Sequence, residues 1–166
     1  MANTLSSGFL TVPLGRLRLR LHVLLPVVVA ALFVAAPRFA RPYVLLLGTV
    51  ALHEAGHVAM SFTLGARAAA MSLLPYFAVA HVQTLPDRRQ AVVAIAGPAI
   101  NLVSAGALFL SGADIDLHLV EAAPLDFLLT VNLAMGLGNL LPFVPADGGR
   151  FLAALRRPTE EPAEDS

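Results

Sequence analysis

The sequence predicts an α-helical integral membrane protein, with about four transmembrane helices and a small β-sheet at the cytoplasmic membrane face. Three observations predict it. Of 166 residues, 57% are apolar and 13% charged, about half the roughly 25% charged share of an ordinary soluble domain. With a mean hydropathy of +0.76, too few polar residues remain to cover a water-facing surface. Four apolar stretches approach the about 20 residues that cross a bilayer, and two further stretches read as strand. The length fits one membrane-embedded domain, residues 1–156, followed by an acidic, proline-containing tail, residues 157–166, expected to be disordered. Eleven cations balance eleven carboxylates, so no basic excess is left for nucleic acid, and none is expected as a partner. With no Cys, disulfides and thiolate chemistry are excluded, and any metal must be held by His and carboxylates.

Taken in order, residues 16–23 alternate Arg16, Arg18, Arg20 and His22 with Leu17, Leu19, Leu21 and Val23, the period of two of a strand. Pro13-Leu14-Gly15 offers a turn back onto residues 9–12. A flexible charged flank would account for the same pattern. Residues 21–36 form a short first apolar segment. The arginines before it and small residues after it also fit a signal peptide; Pro26, Arg38 and Arg41 argue against one. The second segment, about residues 43–64, contains His53, Glu54 and His57. Residues 70–84 are apolar and strand-like, broken by Pro75. The third segment covers about residues 91–110. The fourth, about 125–141, ends in the proline-broken run Leu141-Pro142-Phe143-Val144-Pro145.

Arginines orient these segments. With the N-terminus inside, the inner flanks hold Arg16, Arg18, Arg20, Arg67, Arg88, Arg89, Arg150, Arg156 and Arg157, and the outer flanks only Arg38 and Arg41. That bias places both termini in the cytoplasm. Residues 111–123, with Asp114, Asp116 and Glu121 but no Arg, suit the outer face.

His53-Glu54-Ala55-Gly56-His57 is an HExxH motif. Four residues of helix turn through about 400°, so both imidazoles leave one face, one turn apart, at a spacing that lets two nitrogens share a zinc ion. Glu54 beside them is placed to act as the general base. A chance match on a core helix is the alternative. It is weakened by the apolar surroundings, because a charged group at the bilayer centre costs about 2.5–3.5 kcal/mol and a divalent cation is the simplest compensation. Asp147 is the best third ligand. It follows two prolines, which cannot continue a helix, and precedes Gly148-Gly149, which permits tight turns. Taken alone it also reads as a helix cap. The second and fourth segments both run outside to inside, so the three groups can meet at similar depth.

These residues resemble the site-2 protease family of intramembrane zinc metalloproteases. The motif His53 to His57, the run Gly97-Pro98-Ala99-Ile100-Asn101, and residues 139–150 with their Asp-Gly match in order and spacing, over about residues 16–150. The sporulation type, which processes a sigma-factor precursor, is the nearest subgroup, with a similar strand-like lead and a Leu-Leu-Pro segment like Leu73-Leu74-Pro75. The resemblance implies Zn2+ held by His53, His57 and Asp147, with Glu54 as general base and proton shuttle. It puts Asn101 near the site as an oxyanion or substrate-backbone donor, and gives Asn139 a similar claim. A polar helix–helix contact would account for either asparagine.

Sporulation-type members usually continue with further spans and a nucleotide-binding regulatory domain, and often carry Gly-Gly where this chain has Phe77-Ala78. The expectation is therefore a minimal core that acts alone, with a partner or as a homo-oligomer. His22 reads as a strand or snorkelling residue, His81 as a solvated loop residue with a lesser claim to meet substrate, and His118 has no argued role. The expected function is intramembrane endopeptidase action on a single-span or membrane-associated protein in a bacterial or archaeal cell membrane. A substrate strand would add to the sheet edge at residues 79–82. The alternative is a non-proteolytic membrane scaffold or regulator that retains the metal site.

Overall fold

A computed structural model describes residues 8–83 and 85–156; the expected tail at 157–166 lies outside them. The alternating lead forms a hairpin, β1 (Phe9–Leu14) and β2 (Leu17–His22), in which Leu14 pairs with Leu17. The turn falls on Gly15, at φ +63°, a conformation that glycine adopts without steric cost. Pro13, expected in the turn, instead sits in β1 opposite Arg18. It is tolerated there because β1 is an edge strand and the missing N–H faces outward.

Helix α1 (Leu24–Ala35) has Pro26 in its first turn, where backbone N–H groups have no partner within the helix. It stops at Ala36 because Pro37 follows and a residue before proline is pushed out of the helical region. Pro37 then opens α2 (Pro37–Thr63), so the second helix starts earlier than its apolar stretch does and takes in Arg38 and Arg41. Strands β3 (Ala69–Leu73) and β4 (Ala78–Val82) form a second hairpin. Pro75 lies in its turn, closed by Leu74 N–H donating 2.9 Å to Phe77 O. Helix α3 (Asp87–Leu110), α4 (Pro124–Asn139) and α5 (Asp147–Arg156) complete the fold.

The sheet has the order β1-β2-β3-β4. β2 and β3 run parallel, Leu17 beside Ala69 and Leu21 beside Leu73, because α1 and α2 form the long crossover that parallel strands require. α2 packs on β3 and β4, and α3 touches α2, α4 and α5, so the site forms around α3. Glycines allow that approach. A Cβ on Gly56 would lie 2.8 Å from Ala96 O, and one on Gly136 2.7 Å from the Leu102 side chain.

Among the described residues, two helices, α2 and residues 88–110 of α3, are long and apolar enough to cross a membrane. At 12 and 16 residues, α1 and α4 span about 18 and 24 Å, short of a hydrocarbon core of about 30 Å. Polarity is distributed inside out. Thr49, His53, Ser61, Asn101, Asn132 and Asp147 are buried, while Val34 (86% exposed), Val103, Phe109 and Leu110 face outward. In water that surface would be costly; in lipid it is the expected one.

Candidate metal centre

His53 and His57 lie one turn apart on α2, and both are buried. Asp147 is the first residue of α5. Chain 140–146 leaves the helical path between α4 and α5, as Pro142 and Pro145 require. Gly148 and Gly149 lie within α5 rather than in a turn, and a Cβ on either would strike the backbone of Leu140 or Phe143. Their smallness lets α5 tuck against that segment and bring Asp147 under the imidazoles.

One ligand atom from each of His53, His57 and Asp147 lies within 4.8 Å of the others. Asp147 Oδ2 is 3.0 Å from His53 Nε2 and 3.3 Å from His57 Nε2, and the two Nε2 atoms are 3.2 Å apart. The other ring nitrogens are already committed. His53 Nδ1 donates to Asn101 Oδ1 at 2.7 Å, and His57 Nδ1 donates to Val93 O at 2.8 Å. Neutral imidazoles so arranged turn two bare Nε2 lone pairs and a carboxylate oxygen toward one point. Such a convergence is repulsive unless a positive charge sits in it. Two nitrogens and an oxygen, each ring braced at its far nitrogen, suit a zinc site with room left for water or substrate.

Gly97 of α3 backs the pair, since a Cβ there would meet Nε2 of both imidazoles. Glu54, His57 and Asp147 line one cavity of about 60 Å³ with Ala80, Val93 and Arg150. That volume holds water but no peptide. Glu54 Oε2 accepts a 2.6 Å hydrogen bond from the backbone N–H of Ala80 on β4, so the sheet edge reaches the catalytic candidate directly. The exposed Arg150 guanidinium stands 3.6 Å from Asp147 Oδ1.

The two asparagines fall differently. Asn101 is wholly buried behind His53, its oxygen engaged by His53 and its nitrogen donating to Asn132 Oδ1 at 2.8 Å. Asn139 donates to Met135 O one turn back on its own helix and does not line the cavity. His22 ends β2 and accepts from Leu24 N–H at 3.2 Å, His81 is an exposed residue of β4, and His118 is exposed in the loop before α4. Sequence reasoning missed Asn132, Gly97 as a backing surface, and the carbonyl of Val93. Asn132 left a signal as a polar residue inside an apolar segment, and Gly97 as the first residue of the Gly97-Pro98-Ala99-Ile100-Asn101 run.

No protein-family model matches the chain. It is similar to a zinc metalloprotease of Methanocaldococcus jannaschii, with 32% identity over 114 residues, 68% of this chain and 33% of that protein. A Synechocystis protein provisionally named a zinc metalloprotease is 33% identical over 113 residues, 67% of this chain and 30% of that protein. The chain thus spans about a third of the length of the curated relatives it matches. Among solved structures it resembles a site-2 protease from Methanocaldococcus jannaschii, with a TM-score of 0.65 and 29% identity over 89% of this chain and 71% of that one.

Proposed function

The chain belongs to the site-2 protease family of zinc metalloproteases, and we propose that it forms the metal-bearing core of an intramembrane endopeptidase. Its substrate is a single-span or membrane-associated protein, cut within or near the transmembrane segment. The observation that carries this reading is the meeting of His53, His57 and Asp147 from distant parts of the chain, with Glu54 lining one cavity with His57 and Asp147.

His53, His57 and Asp147 would hold zinc. When bound, zinc polarises a carbonyl and makes water easier to deprotonate. Glu54 takes the proton of the attacking water and returns it to the leaving amine. Asn101 and Val93 O brace the imidazoles so that neither must reorient during the reaction. A helical substrate hides its carbonyls in its own hydrogen bonds and must unwind. The outer edge of β4 offers it new backbone partners, and Ala80 N–H on that edge already reaches Glu54.

The apolar outer surface supports a bilayer setting, with α2 and α3 crossing, the shorter α1 and α4 completing about four spans, and both termini cytoplasmic. Residues 1–156 act as one membrane-embedded domain of a cell-membrane protein, alone or as a homo-oligomer. Co-expression with candidate single-span proteins tests the activity. Wild type releases a cytoplasmic fragment, and Glu54→Gln keeps zinc while cleavage falls about 100-fold or more. A Glu54→Gln protein with full cellular effect would identify a scaffold instead.

A further inference from the structure

We propose that Asn132 is a positioning residue for the metal centre: by fixing which end of the Asn101 amide faces His53, it fixes which nitrogen of His53 is free to bind a metal ion. This rests on the reading of His53 as a ligand.

Asn132 lies on α4, beyond Asn101 as seen from His53, and both side chains are buried, at 2% and 0% exposure. The two ends of an amide have nearly the same shape but opposite hydrogen-bonding sense, so a buried amide needs something to define its orientation. Here the definition begins at a backbone carbonyl. Leu128 O can only accept, so the Asn132 atom 2.8 Å from it is Nδ2, and Oδ1 points the other way. Asn101 meets that oxygen at 2.8 Å and must present its own Nδ2. Its Oδ1 is thereby turned to His53 Nδ1, at 2.7 Å.

An oxygen there can only accept. His53 therefore carries its proton on Nδ1 and leaves Nε2 bare, 3.0 Å from Asp147 Oδ2. With Asn101 reversed, an NH₂ group would face Nδ1, the proton would move to Nε2, and ligation would be blocked. His57 needs no such relay, because Val93 O takes its Nδ1–H directly. Away from water, no solvent molecule substitutes for a lost partner, so the orientation depends on the chain of amides.

Substitutions separate this role from packing. Asn132→Leu removes the acceptor and frees Asn101 to turn. Asn132→Asp keeps an acceptor toward Asn101 whether ionised or protonated. Leu129→Ala perturbs a buried neighbour on α4 that has no part in the relay. The test is 15N-histidine NMR of the full chain in detergent, metal-free at about pH 8, above the usual imidazole range. His53 signals are identified by their loss in His53→Gln, and zinc affinity is measured by chelator competition.

Wild type and Asn132→Asp are expected to show one His53 state, with its proton held on Nδ1 toward Asn101. Asn132→Leu is expected to show mixed or reversed tautomers and about 10–100-fold weaker zinc binding. Leu129→Ala is expected to melt earlier with both readouts unchanged. An unaltered tautomer in Asn132→Leu overturns the proposal, as does an equal loss of affinity in Leu129→Ala. Should Asn132→Leu fail to fold, a lost tautomer in Asn132→Asp overturns it. Because the tautomer is read without metal, a wild type that takes up no zinc would refute the ligand reading while the relay is still decided.

Discussion

Gly97 shows how a single missing side chain can shape the site. A Cβ at this position would lie 2.7 Å from His53 Nε2 and closer still to His57 Nε2, nearer than real carbon contacts allow. Gly97→Ala should displace the imidazoles without disturbing the outward surface of α3. Zinc affinity is expected to fall about 10-fold or more with helical content unchanged by circular dichroism; wild-type affinity would contradict the packing described here. At this scale the sequence was most informative where local geometry is rigid. His53, Glu54 and His57 were legible because helical pitch alone places them. Asp147 was legible through the need for a third donor, together with its proline-broken setting and the Asp-Gly match. Asn132 was not, because one amide in an apolar segment has many partners available, and only packing shows that it meets Asn101.

Among the elements, β4 joins the sheet to the chemistry. It is the last strand in the order β1-β2-β3-β4, and the N–H of Ala80 leaves it toward Glu54. Ala80→Pro deletes that donor and roughens the edge on which substrate would pair. Cleavage of a co-expressed substrate should fall about 10-fold or more, a loss of roughly 1.4 kcal/mol or more, while zinc content stays at the wild-type level. Unchanged cleavage would remove β4 from the mechanism. The alternation of residues 16–23 made β2 readable, and the hairpin of β3 and β4 was half readable, since Pro75 turned out to lie in its turn. Helix α5 was hidden. Two prolines and two glycines around Asp147 signal irregular backbone by every local rule. The glycines serve instead to let a regular helix pass close to the Leu140 and Phe143 backbone, a tertiary reason with no local signature.

At the scale of the molecule, polar side chains such as Thr49, His53, Asn101, Asn132 and Asp147 are buried among the described residues, while large apolar ones such as Val34, Val103, Phe109 and Leu110 face outward. The composition made a membrane setting legible, and the arginine distribution gave a direction that follows from charge rather than from packing. The chain contains no Cys, so single cysteines can report that direction cleanly. Ile115→Cys, in the loop between α3 and α4, should react with an impermeant maleimide on intact cells, and Arg67→Cys only after lysis. The opposite pattern would invert the topology. The central claim is that His53, His57 and Asp147, from two elements far apart in the sequence, share one metal ion. Its most direct measurement is the zinc content of the purified chain beside that of Asp147→Ala. The account predicts one zinc per wild-type chain and a severe loss in the variant; equal zinc in both would contradict it.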